Sequence, residues 1–186
     1  RAVVRLAPGR YDGCMALAQL YFDADRADDA AAVLATAADH VPMTAEVRRL
    51  RGSSQVRLGN LEVAITEFEA AIALDEHDVD SRFQLGVTLR RLGRLAAADA
   101  AFEGVATRDP SYSGLALERG RVFEDRNMPD RAVASYARAL EEAPDDLDLK
   151  LRLGAARAAA GQLDAAETIL REVLAERPLS AETLHF

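Results

Sequence analysis

At 186 residues, with 49% hydrophobic and 29% charged residues, the chain has the composition of a folded soluble polypeptide, neither disordered nor membrane-spanning. A net charge of −8 excludes a general nucleic-acid binder, which needs surplus positive charge to displace counterions. A single cysteine, Cys14, excludes an intrachain disulfide and argues against a cysteine-based metal site.

No apolar run approaches the roughly 20 residues of a membrane helix, so no direct membrane insertion is expected. Arg1 to Arg10 carries charge and two valines but no long apolar stretch before a cleavage site, so no signal peptide is read there. The expected compartment is the cytoplasm, and the periplasm also fits. Basic charge is nearly all arginine, with Lys150 the sole lysine, and alanine is abundant. That balance points to a GC-rich bacterial genome.

Pro8 opens a series. Pro42, Pro110, Pro144 and Pro178 follow at 34 residues or twice that, and the skipped register holds Glu76. In the same frame alanine stands at 30, 64, 98, 132 and 166, and glycine at 52, 86, 120 and 154. A fixed period means one supersecondary unit copied and stacked. The expected organisation is a single array over 1–186. Its full copies are 11–44, 45–78, 79–112, 113–146 and 147–180, with partial copies at 1–10 and 181–186.

In chain order, each copy reads as two helices. The first copy offers Cys14 on its first helix and Ala30, Leu34 and Ala37 on its second. The second offers Gly52, then Ala64, Phe68 and Ala71. The third is the clearest. Asp80 lies in the first turn of a helix, where a carboxylate meets the positive dipole end. Leu85, Leu89 and Leu92 form an apolar stripe, and Gly93 ends the helix with Arg90 and Arg91 near its negative end. A second helix runs from about Ala96, buries Ala98, Phe102 and Val105, and stops at Asp109–Pro110. Gly120 with Ala132, Tyr136 and Ala139, then Gly154 with Ala166, Leu170 and Val173, repeat the grammar. A mid-helix glycine costs about 1 kcal/mol against alanine, so one in four copies implies a neighbouring helix too close for a Cβ. A lone hairpin buries too little apolar surface to offset the entropy of ordering it, so the copies must stack.

Gly86, Leu89, Ala98, Phe102 and Pro110 carry the spacing G-x₂-Y…A-x₃-F…P in 34 residues, and on these the chain resembles the tetratricopeptide repeat family over its whole length. The resemblance implies an all-α fold, an α-solenoid of antiparallel helix pairs wound as a right-handed superhelix. The chain departs from the pattern where the family's large first-helix residue is replaced by Cys14, Arg48, Arg82, Ala116 and Lys150. It departs again where the leucine before the glycine is Arg51 and Arg119, so those first helices are expected to pack more loosely.

The search for chemistry yields little. His40, His77 and His185 lie on different copies with no metal-ligand spacing, and no cofactor or metal is expected. Cys14 reads as a small buried hydrophobe. Carboxylates such as Glu62, Glu67, Glu69, Asp164, Glu167 and Glu172 read as solvated faces of the second helices. The chain is therefore read as non-catalytic.

The resemblance also implies where a partner rests: the second, fifth, ninth, twelfth and thirteenth residues of each copy, on the concave side. The first copy holds Met15, Gln19, Phe22 and Asp23 there. The second holds Glu46, Arg49, Ser53, Val56 and Arg57, and the third holds Asp80, Phe83, Val87, Arg90 and Arg91. Leu117, Arg121, Glu124 and Asp125 follow in the fourth, and Leu151, Ala155, Ala158 and Ala159 in the fifth. The candidate groove residues are Arg49, Ser53, Arg57, Phe83, Val87, Arg90, Arg91, Leu117 and Arg121. Two readings of the arginines stand. They hold a peptide with acidic residues and an apolar anchor, or they pair within helices, as Arg121 with Asp125 and Glu46 with Arg49. The lysine and asparagine clamp of some relatives is not supported, since the fifth and ninth positions are Met15 and Gln19, or Arg49 and Ser53.

The expected function is a protein–protein interaction module holding a peptide or partner segment in its groove. One alternative is a scaffold that self-associates through uncapped half-copies, with Val3, Val4 and Leu6 at one end and Leu184 and Phe186 at the other. Another is the substrate-recruiting arm of a larger enzyme.

Overall fold

The structure, a computed structural model, describes residues 11–37 and 43–176. The partial copies at 1–10 and 181–186, with the uncapped ends they carry, lie outside the described residues, as do His40 and His185. Among the described residues the chain is entirely helical. Its helices are α1 (Tyr11–Asp23), α2 (Ala27–Ala37), α3 (Ala45–Arg57), α4 (Leu61–Leu74), α5 (Val79–Arg91), α6 (Leu95–Arg108), α7 (Leu115–Asp125), α8 (Pro129–Glu142), α9 (Leu147–Ala159) and α10 (Leu163–Glu176). Each expected copy is one hairpin of two.

The chain divides into two compact units, Arg1–Pro110 and Ser111–Phe186. In the first, α1 packs on α2, α3 on α4 and α5 on α6, while α2 also meets α3 and α4 meets α5. In the second, α8 packs between α7 and α9, and α10 closes on α9. Serial packing of antiparallel pairs, each on its sequence neighbour, is the α-solenoid arrangement.

The turns explain the period. At the fifteenth position of every copy the backbone is left-handed: Asp25 at φ 56°, Gly59 at 80°, Gly93 at 73°, Asn127 at 54° and Gly161 at 76°. Glycine, asparagine and aspartate adopt this conformation at least cost, and it closes the helix with a bond from the next N–H back to a carbonyl of the last turn. That bond is present in all five copies, as in Arg94 N to Leu89 O at 2.9 Å and Met128 N to Phe123 O at 2.8 Å. Side-chain caps open three first helices: Thr44 accepts from Val47 N, Asp78 from Ser81 N and Asp146 from Leu149 N. Second helices end on extended residues, Asp109 at φ −138° before Pro110 and Asp75 at −140° before Glu76. The same exit is made with and without the proline.

The small and large positions interlock as the spacing requires. Ala30, Ala64, Ala98, Ala132 and Ala166 are all buried, and so are Leu34, Phe68, Phe102 and Tyr136. A Cβ on Gly52 would come within 2.6 Å of the Phe68 ring, one on Gly86 within 2.6 Å of Phe102, and one on Gly154 within 2.8 Å of Leu170. Gly120 faces Tyr136 in the same way. The close neighbour is thus the large side chain of the same copy, sixteen residues on.

Two details differ from expectation. The buried side of α5 includes Ser81 and Thr88 as well as Leu89, while Leu85 and Leu92 are half-buried. The buried hydroxyls are satisfied locally, Thr88 Oγ1 donating to Gln84 O at 2.7 Å and Ser54 Oγ to Leu50 O at 2.9 Å. Glu67 corrects the solvated-face reading: it is 6% exposed, and accepts from Arg48 Nη1 at 2.8 Å and Arg51 Nη2 at 3.0 Å. Arginines at two packing positions of α3 need a buried carboxylate, and Glu67 on α4 supplies it. Glu62, Glu69, Asp164, Glu167 and Glu172 are exposed as read, and Cys14 is buried.

Candidate functional site

The first-helix positions come together in the first unit. Met15, Gln19 and Phe22 of α1 and Glu46, Arg49 and Ser53 of α3 line one cavity of about 180 Å³, with Leu50 at its base. Met15 and Leu50 are its buried members, and Gln19 and Glu46 its exposed ones. In the first unit α1 meets α3 and α3 meets α5, and in the first two copies positions five, nine and twelve of one share the cavity with positions two, five and nine of the next.

The arginines are largely engaged. Arg49 Nη1 bonds Asp80 Oδ2 at 2.8 Å and its Nε lies 3.9 Å from Asp78, so it ties α3 to α5. Arg57 Nη1 donates to Phe22 O at 2.7 Å and Asp25 Oδ1 at 2.9 Å, with its guanidinium 3.7 Å over the Phe22 ring. It anchors the α1–α2 turn. Arg121 Nη1 donates to the buried Glu118 at 2.6 Å, one turn earlier on α7. Spacing names Asp125 for Arg121 and Glu46 for Arg49, whereas these bonds go to Glu118 and to Asp80 and Asp78. Arg90 is half-buried and Arg91 exposed at the end of α5. Phe83 is half-buried, its ring 5.6 Å from that of Phe102, and Val87 is half-buried beside it on α5. In the second unit Leu117 packs against the core of α7, α8 and α9.

The second unit holds its own first-helix cavity, of about 160 Å³, lined by Glu124, Asn127, Met128, Pro129, Ala155 and Ala159 among others. Glu124 is fixed there, accepting from Tyr136 Oη at 2.5 Å and from Arg152 Nη1 at 3.2 Å. Burial, and then the Glu124 carboxylate, push the Tyr136 phenol well above its ordinary pKa. Tyr136 was read only as filler. A hydroxyl at a position that is Phe68 and Phe102 elsewhere was the available signal. Where Arg119 replaces the usual leucine, α7 and α8 leave an opening of about 280 Å³, and Arg131 stacks 4.0 Å over Phe123.

Tetratricopeptide repeat profiles match residues 15–78 and 49–113, and again 125–183. The chain belongs to the tetratricopeptide repeat family. The TPR repeat-containing protein YpiA of Bacillus subtilis (strain 168) is 29% identical over 180 residues, which is 91% of this chain. The chain spans 40% of that protein's length. Two solved structures share the fold. MamA 41-end from Desulfovibrio magneticus RS-1 has a TM-score of 0.81 at 16% identity, covering 90% of this chain and 96% of that one. YrrB, described as a TPR protein with an unusual peptide-binding site, has a TM-score of 0.79 at 18% identity, covering 99% of this chain and 95% of that one. Family and fold support a protein-interaction module and point to a non-catalytic repeat protein. Among the described residues no helix is long and apolar enough to cross a membrane.

Proposed function

We propose that the chain holds a peptide segment of a partner protein against the first-helix faces of its repeats. One observation carries this reading: six side chains from the first-helix positions of two successive repeats line a single cavity, with Met15 buried and Gln19 and Glu46 exposed. A small apolar side chain of the partner enters it, and Gln19, Glu46, Arg49 and Ser53 bond the partner's backbone around it. Arg49, Arg57 and Arg121 already meet carboxylates of their own chain, which shifts the affinity from arginine forks to the apolar anchor. Phe83 and Val87 extend the apolar surface in the third repeat, with Arg90 and Arg91 at its end; in the second unit, taken by itself, Leu117 and Arg121 hold the corresponding positions of the fourth repeat. Acidic residues of the partner meet Arg91. The peptide-binding description of YrrB supports the mode but not the sequence bound.

Selection from a displayed peptide library on the full chain tests this. Ser53→Phe fills the cavity, and is expected to remove binding of selected peptides while far-UV circular dichroism stays unchanged. Arg91→Glu is expected to weaken peptides that carry acidic residues. Unaltered affinity in Ser53→Phe defeats the reading.

A further inference from the structure

The fourth and thirtieth positions of the repeat frame are joined by an ion pair in the last copy, where Lys150 Nζ lies 3.2 Å from Glu176 Oε1. In the third copy the same two positions hold Arg82 and Arg108. Both cations converge on Gly104. A Cβ there would meet Arg82 Cδ at 2.8 Å and its Nε and Nη1 at 3.5 Å, so the Arg82 side chain lies flat on α6 where the glycine leaves room. Arg108 Nη1 donates to the Gly104 carbonyl at 3.1 Å. A glycine within a helix is unfavourable unless something occupies the space it frees, and here that is a guanidinium.

Carboxylates compensate Arg82 only in part. Arg82 Nη2 donates to the backbone carbonyl of Glu76 at 3.1 Å, and its Nε is buried without a hydrogen-bond acceptor. Asp78 and Glu76 are the carboxylates that favour the Arg82 cation. Asp78 is committed to the cap of α5, accepting from Ser81 N and Oγ, while Glu76 lies 3.6 Å from His77. Burial first and Arg108 second make the Arg82 cation less favourable than usual, against the opposing pull of these two carboxylates. Arginine does not shed its proton to escape; an added anion relieves the strain instead.

We propose that Arg82 and Arg108 form a receptor for a carboxylate of a partner polypeptide on the flank of the third repeat. In the last copy the cation of the fourth position meets a carboxylate, that of Glu176, and the guanidinium fork matches a carboxylate in two-point geometry. Asp78 and Glu76 nearby disfavour a dianion, which selects a carboxylate over a phosphate. Neither arginine stands at a first-helix binding position, so this receptor and the peptide face stand or fall separately.

The test follows the Arg82 Nε–H resonance of the ¹⁵N-labelled full chain during titration with N-acetyl-glutamate amide, N-acetyl-alanine and inorganic phosphate at constant ionic strength. A saturable shift with either carboxylate supports the receptor, and the stronger of the two tells a side chain from a C-terminus. Arg108→Ala is expected to weaken binding about tenfold. Arg108→Glu, which installs the arrangement of Lys150 and Glu176, is expected to abolish the response and raise the melting temperature. Arg108 is exposed, so both variants are expected to fold. No saturable shift, a shift that survives in Arg108→Glu, or a stronger response to phosphate overturns the proposal.

Discussion

Gly86 shows how little freedom a repeat position retains. It sits inside α5, where alanine is worth about 1 kcal/mol more in helix propensity. The ring of Phe102, fully buried, occupies the volume a methyl group needs. Overpacking a filled core costs about 1–3 kcal/mol, and a separation of 2.6 Å from a ring held on all sides belongs at the upper end. Gly86→Ala is therefore expected to destabilise by about 1–2 kcal/mol net in urea unfolding. Phe102→Leu copies the Gly154–Leu170 pair of the last repeat. Combining it with Gly86→Ala is expected to cost less than the two changes added, because they share one volume. The glycines, alanines and large fillers were all readable from spacing. The Arg48–Glu67–Arg51 cluster was not, because helical period alone does not tell a charged residue facing solvent from one facing an arginine across the hairpin.

Between helices, the contacts that join repeats are polar as well as apolar. Tyr136 on α8, Glu124 on α7 and Arg152 on α9 form one chain of bonds across three helices. The folded Tyr136 keeps its proton at a pH where an unfolded tyrosine, ordinarily near 10, has lost it. The unfolded state then binds fewer protons, so this contribution to stability, complete below about pH 10, falls as pH climbs through and above it. Tyr136→Phe is expected to lower stability by about 1 kcal/mol at pH 7 and to flatten the decline above pH 10, measured by urea midpoints across pH 7–11. An equal decline in the variant would assign the effect to other groups. Arg49 and Arg57, named as candidate ligand contacts, also link helices in the same manner in the first unit. Their spacing carried no information on which carboxylate the fold brings opposite.

The array as a body depends on neighbours. Ala64, Phe68 and Ala71 fill the inside of one hairpin, yet α4 also packs on α5 and α3 on α2. A peptide spanning 45–78 alone is expected to show little helix by far-UV circular dichroism at 25 °C, because the surface it shares with adjacent repeats is then exposed to water. A stably helical isolated peptide would contradict that nearest-neighbour account.

Periodicity settled the fold class and the helix pairs, because these follow from which residue types recur at 34-residue steps and from local backbone preference. The cavity, the buried carboxylates and the partners of each arginine were settled only when helices distant in sequence met. Long charged side chains reach several ångströms in many directions, and it is the packed neighbours that choose among them.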